Sequence, residues 1–388
     1  MNESYRTRIA MLSDANNPHT IRWVRALAER GHELLVYSLS DLRESRAFEG
    51  LPNVRIESAA IPSEVIANGQ GGIGKLRYLR AVPALRRAIL AFRPNVVHAH
   101  YATSYGLLGL ACGARPLVVS VWGMDVYNAP SESLLLRQVV RTVLTRADAV
   151  LSTSHVMKAR TAELVRRHIH VTPFGVDIRR FAPRAAAGGG SDSKPVVVGT
   201  VKTLEPKYGI EYLIRAFARL EHHGIRSDAV RLLIVGSGWL SSDLERLARE
   251  LGIVDRTEFA GRVSYDSVHL YHQRMDVSVF PSIEDSESFG VAVVEAQACG
   301  VPVVVSDVGG LPEVVLRETT GFVVPPRDVD SLASAIARLV VDHDLRRRFG
   351  EAARAHVVER FSLEACVRQL EQIYRDLLGR ESCRRANA

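Results

Sequence analysis

The stretch Val277-Ser278-Val279-Phe280-Pro281-Ser282-Ile283-Glu284-Asp285-Ser286-Glu287-Ser288-Phe289-Gly290-Val291-Ala292-Val293-Val294-Glu295-Ala296 decides how this chain is read. Val277–Pro281 is apolar but for Ser278, a Val-rich run that predicts a buried parallel strand. A polar loop follows, and then a helix that closes at Cys299-Gly300. Seven residues separate Glu287 from Glu295. That spacing carries little by itself, but the context gives it weight. Glu287 falls in the strand-to-helix loop and Glu295 about two turns into the helix, so both can face the crevice at the strand carboxyl ends, where open α/β sheets bind ligands.

The same rhythm runs in both directions from this stretch. IAML, LLVYS, VVHA, LVVSV and AVLST recur in the first half, and VVVGTV, RLLIVG, VPVVVS and FVVP in the second, with amphipathic stretches between them. Buried parallel strands joined by crossover helices predict the α/β class, with two doubly wound, Rossmann-like parallel-sheet domains. The expected boundaries are an N-terminal domain over 1–183, a linker over 184–195 built on the small-residue run from Ala185 to Ser193, and a C-terminal domain over 196–361. A helix is expected over 362–378, where Leu363, Val367, Leu370, Ile373, Tyr374 and Leu377 recur at helical spacing, before a polar tail over 379–388.

Composition removes several classes. At 388 residues, 47% hydrophobic and 24% charged, the chain is neither disordered nor fibrous. The start MNESYRTR leads into no leader-like apolar run, and no long uncharged window appears, so a cytoplasmic protein without a spanning helix is expected. Cys112, Cys299, Cys366 and Cys383 are far apart with no C-x-x-C, which argues against a disulfide framework or a zinc site. The net charge of +7 is uneven: residues 1–181 hold 24 Lys and Arg against 14 Asp and Glu, and the remainder 26 against 29. A basic first half implies an anionic partner, whether nucleic acid, membrane surface or substrate. Nucleic acid is the poorest of these, because aromatic residues make up only 6% and no binding module accompanies the charge.

A second informative segment is Gly199-Thr200-Val201-Lys202-Thr203-Leu204-Glu205-Pro206-Lys207-Tyr208-Gly209. Fixed cations such as Lys202 and Lys207 in a low-dielectric cleft stabilise developing negative charge without reorganising. The amides of Ser288, Phe289 and Gly290 lie at a helix start that can receive a phosphate. The Glu287/Glu295 stretch is similar to the E-x7-E signature of retaining glycosyltransferases of family 4. The lysine segment resembles that family's G-R-L-x-x-x-K-G loop, with Lys202 in place of Arg.

The resemblance implies a GT-B fold, its two domains facing each other across a cleft and the helix over 362–378 crossing back to the N-terminal domain, and transfer from a nucleotide-diphosphate sugar to a hydroxyl acceptor in polysaccharide or glycolipid synthesis. It also implies that Lys202 and Lys207 hold the diphosphate, that Glu287 touches the donor sugar and that Glu295 accepts from ribose hydroxyls. Gly236 and Gly238 resemble loops lining the donor cleft, and Arg262 and Val263 stand where the nucleobase is met. Front-face transfer, in which the leaving phosphate takes the acceptor's proton, needs no protein nucleophile. No cofactor or metal is expected, since two lysines can replace a divalent cation. A nucleotide-sugar 2-epimerase of the same architecture and a non-catalytic scaffold subunit are the alternatives.

The acceptor half is less legible. Ser13-Asp14-Ala15-Asn16-Asn17-Pro18-His19 follows the first strand, with Asn17 as helix cap and Pro18 at the first helical position. His98-Ala99-His100 and Trp122-Gly123-Met124-Asp125 also stand at strand carboxyl ends. Asp14, His19, His100, Trp122 and Asp125 are therefore the cleft candidates. Trp122 offers a sugar a stacking face, whereas Asp125 reads equally as a loop cap. Residues 75–93, after the Gly71-Gly72-Ile73-Gly74 loop, read either as a solvated crossover helix kinked at Pro83 or as a basic surface resting on an anionic leaflet. The second reading suits a lipid-linked acceptor and a peripheral place at the inner face of the plasma membrane; an anionic soluble acceptor fits as well.

Overall fold

A computed structural model describes residues 6–43, 45–62, 78–184 and 194–386. The described chain forms two compact units, Met1–Phe174 together with Leu363–Ala388, and Gly175–Ser362.

In the first unit the strands are β1 (Arg8–Leu12), β2 (Glu33–Ser40), β3 (Val54–Ile61), β4 (Val96–His100), β5 (Leu117–Val121), β6 (Ala149–Ser152) and β7 (His170–Val171). They lie in the order β3-β2-β1-β4-β5-β6-β7, and the pairings are parallel. The order reverses between β1 and β4, the switch point at which doubly wound sheets bind ligands. Both faces of this sheet are covered, which is why its strands read as continuous apolar runs. On β1, Ala10 and Leu12 join one core cluster with Leu85 and Val143. Ile9 and Met11 point the other way, toward Trp23 and Leu27 of the helix Pro18–Glu29 and toward Val367, Leu370 and Tyr374 of the C-terminal helix.

The second unit holds β8 (Val196–Val201), β9 (Val230–Val235), β10 (Thr257–Gly261), β11 (Val277–Phe280), β12 (Val303–Ser306) and β13 (Gly321–Val324). Their order is β10-β9-β8-β11-β12-β13, again parallel, with the switch point between β8 and β11.

Several boundaries differ from the sequence reading. The first unit ends at Phe174 rather than 183, because Gly175–Pro183 is bonded into the second. Val176 N–H donates to the Phe361 carbonyl at 2.8 Å. Arg354 donates to the carbonyls of Phe181 and Ile178, and Gln273 to that of Ala182. The expected linker lies, over 185–193, outside the described residues, as do Gly71–Gly74 and residues 75–77 of the basic segment. The last helix runs Leu363–Ala386, so most of the expected tail is helical, in keeping with the helix propensity of Arg and Glu in RESCRRA. The basic segment's helix spans Val82–Phe92 and is not kinked at Pro83, which sits in its first turn, where a proline costs no hydrogen bond.

Candidate active site

The loops after β8 and β11 flank the second unit's switch point, and they are zipped together. Ile283 N–H donates to the Lys207 carbonyl at 2.9 Å, and a Cβ at Gly209 would lie 2.2 Å from the Pro281 carbonyl oxygen. This brings Lys202 and Glu287 into a direct ion pair, Nζ to Oε2 2.6 Å, with side chains only 16% and 12% exposed. Lys207 lies on the same turn, 3.6 Å from the Glu205 carboxylate. Burial works against its charge, but Tyr208 and Glu205 outweigh it and hold its pKa above the ordinary lysine value.

Glu287 is also fixed through its backbone. Gly310 N–H donates to the Glu287 carbonyl at 2.8 Å, and a Cβ on Gly309 would lie 2.2 Å from the same oxygen. Of the helix-start residues, Ser288 is half-buried and presses its carbonyl on Gly310, while Phe289 is buried against Phe361. Phe289 is therefore a core residue. Gly290 adopts φ +85°, so the helix begins only at Val291 and Glu295 lies just over one turn inside it, rather than two. Glu295 is 4% exposed. Its Oε1 accepts the Tyr265 hydroxyl at 2.8 Å, and Oε2 lies 4.0 Å from His272 Nε2. His272 is neutral, its pKa lowered to about 3 by burial.

Gly236 and Gly238 allow the β9 loop to lie directly on the lysine loop. A Cβ on Gly236 would sit 1.9 Å from the Lys202 carbonyl oxygen, and one on Gly238 2.2 Å from that of Leu204. Gly236 thus seats Lys202, and Gly238 seats Leu204 on the same loop. Beyond β10, Arg262 is exposed and Val263 half-buried.

In the first unit the switch point gathers a second cluster. His100 Nδ1 is hydrogen-bonded to Ser13 Oγ at 2.7 Å, from the end of β4 to the end of β1. Trp122, after β5, lies 4.1 Å from the His100 ring, 5.1 Å from Phe174 and 5.4 Å from Tyr101. His19 stacks on Phe174 at 4.3 Å, and its Nδ1 accepts from Arg22 at 2.5 Å. Burial, and then Arg22, push the His19 pKa down; burial does the same for His100, with His98 and His19 adding to it. Both are neutral hydrogen-bonding rings rather than charge carriers.

Two candidates prove to be braces. Asp125 is fully buried, and its carboxylate accepts the backbone N–H of Ala102, Trp122 and Gly123 at 2.9–3.2 Å, so it caps the loops after β4 and β5. Asp14 accepts from the Ser40 hydroxyl at 2.6 Å and from Asn16 N–H, tying the β1 loop to β2. His98 is structural too, with Nδ1 bonded to the Tyr374 hydroxyl and Nε2 to Ser120 Oγ.

Sequence reasoning missed Phe174, Tyr101, Tyr265 and Tyr208. Only Tyr208 had a visible signal, its place between Lys207 and Gly209. Tyr101 holds φ +67°, uncommon for a bulky residue, and opens a π turn, a combination found at functional sites. Among the described residues, no three His, Cys, Asp or Glu side chains gather to hold a metal ion.

Two doubly wound parallel sheets, each with polar and aromatic side chains at its switch point, define the GT-B class of two-domain transferases. Residues 183–356 match the family Glycosyl transferases group 1, and residues 8–154 the family Glycosyl transferase 4-like. The chain is 32% identical to a D-inositol 3-phosphate glycosyltransferase of Acidothermus cellulolyticus, covering 94% of this chain and 86% of that one. It is 29% identical to N-acetyl-alpha-D-glucosaminyl L-malate synthase of Bacillus anthracis, over 91% and 92% of the two chains. Among solved structures it resembles sucrose-phosphate synthase from Thermosynechococcus elongatus, with TM-score 0.80, 26% identity, and coverage of 96% of this chain and 100% of that one. The chain belongs to the group 1, family 4-type glycosyltransferases and is a glycosyltransferase.

Proposed function

We propose that the enzyme moves a sugar, with retention of anomeric configuration, from a nucleoside-diphosphate sugar held by the second unit to the hydroxyl of an anionic acceptor recognised by the first. The observation that carries this reading is the Lys202–Glu287 pair beside Lys207 at the β8/β11 switch point. Lys202 and Lys207 take the diphosphate, Glu287 takes a hydroxyl of the donor sugar, and Glu295 accepts from the ribose. Fixed ammonium groups stabilise charge that develops on the leaving phosphate without reorganising as the glycosidic bond stretches. The departing phosphate oxygen receives the acceptor's proton, so no side chain is asked to be the base. A metal is not required in this scheme, and activity should persist in EDTA.

An anionic acceptor is supported by the basic first half of the chain and by relatives whose names specify malate and inositol 3-phosphate. The test is a screen of UDP-, GDP-, ADP- and dTDP-sugars, reading affinity and slow donor hydrolysis, with product stereochemistry by NMR. Lys207→Ala should lower turnover by about 10²- to 10³-fold. Equal activity in the variant, or an inverted product, would overturn the reading.

We also propose peripheral membrane contact through the helix Val82–Phe92. It exposes Arg86, Arg87 and the 65%-exposed Leu90, with exposed Arg93 just beyond it. Each basic residue near an anionic surface contributes about 1 kcal/mol. Flotation with phosphatidylglycerol vesicles should be lost in Arg86→Glu/Arg87→Glu; unchanged flotation would remove the proposal. Among the described residues, no helix is long and apolar enough to cross a membrane.

A further inference from the structure

The Tyr208 ring serves both lysines of the switch-point loop. Lys202 Nζ lies 4.4 Å from its centroid and Lys207 Nζ 4.9 Å. The ring is half-buried and packs against the core of the second unit from the single turn Pro206–Tyr208. That turn cannot shift freely. Gly209 follows it at φ +60° with no room for a side chain against the Pro281 carbonyl, and Lys207 O is bonded to Ile283 N–H. Moving the ring would mean unzipping the loops after β8 and β11.

Lysine is a compact charge on a flexible stem, and unlike arginine it has no planar fork to fix its geometry against a phosphate. Two ammonium groups near one another also repel. An aromatic face attracts both cations and offsets that repulsion. Of the other partners of these lysines, Glu287 on Lys202 and Glu205 on Lys207 are carboxylates that an incoming phosphate must compete with, and the Tyr208 hydroxyl is itself hydrogen-bonded to Lys207. The ring carries no negative charge and competes with nothing, so it can hold both ammonium groups while their anionic partners are exchanged.

We propose that Tyr208 is a positioning residue that joins Lys202 and Lys207 into one clamp and makes the site prefer a diphosphate to a monophosphate. This rests on the donor reading above, and it adds to that reading a residue and a selectivity.

The test is calorimetric binding of UDP against UMP, and of GDP against GMP, to the full chain and its variants. The wild type should prefer the diphosphate. Tyr208→Phe and Tyr208→Trp keep a ring face and should retain that preference within about twofold. Tyr208→Leu should lose about tenfold of diphosphate affinity while monophosphate affinity changes less than about threefold. Should Tyr208→Leu not fold, Tyr208→Met is held to the same criterion. A ringless variant that keeps the full preference overturns the inference, as does a Phe variant that loses as much as the Leu one. A wild type that binds diphosphate and monophosphate alike overturns the donor reading itself, and the inference with it.

Discussion

The contact between Lys202 and Glu287 means that, without a donor, each charge is already answered by the other. On the proposed donor reading, binding a diphosphate draws Lys202 away and thereby releases the Glu287 carboxylate for a sugar hydroxyl. The two steps are coupled through one pair, and Glu287→Gln separates them. The variant should bind a nucleoside diphosphate at least as tightly as the wild type, because Lys202 no longer has a competing anion. Its turnover should fall by about 10²-fold, through loss of an interaction strengthened in the transition state. Calorimetry beside single-turnover kinetics reads both, and weaker nucleotide binding with unchanged turnover would contradict the coupling. The residue types at these positions were readable in the sequence, because cations and carboxylates at strand ends announce a polar ligand. Their partnership was not, since no local pattern records which loop meets which.

At the scale of elements, the loops after β4 and β5 depend on Asp125. Its carboxylate joins the turn after β4, through Ala102, to the turn after β5, through Trp122 and Gly123. Asp125→Ala leaves three amides without their acceptor and should destabilise the first unit by about 3 kcal/mol. Urea unfolding followed by Trp fluorescence checks this, and a shift near zero would show that water replaces the carboxylate. In the sequence, Asp125 stood equally for a polar contact and a loop cap. Burial decided between them, and burial is a property of the folded neighbourhood. The same is true of the Phe289 side chain, whose packing against Phe361 no motif position records.

For the whole molecule, acid is the predicted weakness. Burial lowers the pKa of His98 to about 3 in the first unit and that of His272 to about 3 in the second, against about 6.5 in the unfolded chain. Between those values the unfolded state holds more protons, so stability is full above pH 6.5 and is lost as pH falls toward 3. The slope is about 1.4 kcal/mol per pH unit for each such histidine. Glu371 acts in the same direction. Burial raises its pKa, but the hydrogen bonds from Arg30 at 2.6 and 2.8 Å and from His32 at 2.9 Å outweigh that and hold it below the usual carboxylate range. Protonating it at low pH loosens the C-terminal helix from Arg30 and His32 within the first unit. Among the described residues, His272 finds no hydrogen-bond partner for either ring nitrogen. His272→Leu should therefore be neutral or stabilising at pH 7 and show a shallower loss of stability between pH 7 and 5. Denaturant midpoints at the two pH values test this, and an unchanged slope would refute it.

The sequence by itself determined the two parallel sheets and the loops that carry charge, because buried parallel strands need unbroken apolar runs and a strand-to-helix loop betrays its polar residues. It also placed Lys202, Lys207, Glu287 and Glu295 on one unit. Only the tertiary structure decided that Gly175–Pro183 belongs with the second unit and that the last helix runs on to Ala386. It alone paired Lys202 with Glu287, turned Glu295 toward Tyr265 and set Tyr208 beneath both lysines. Those outcomes depend on which surfaces meet after distant segments pack, and no local propensity or spacing encodes them.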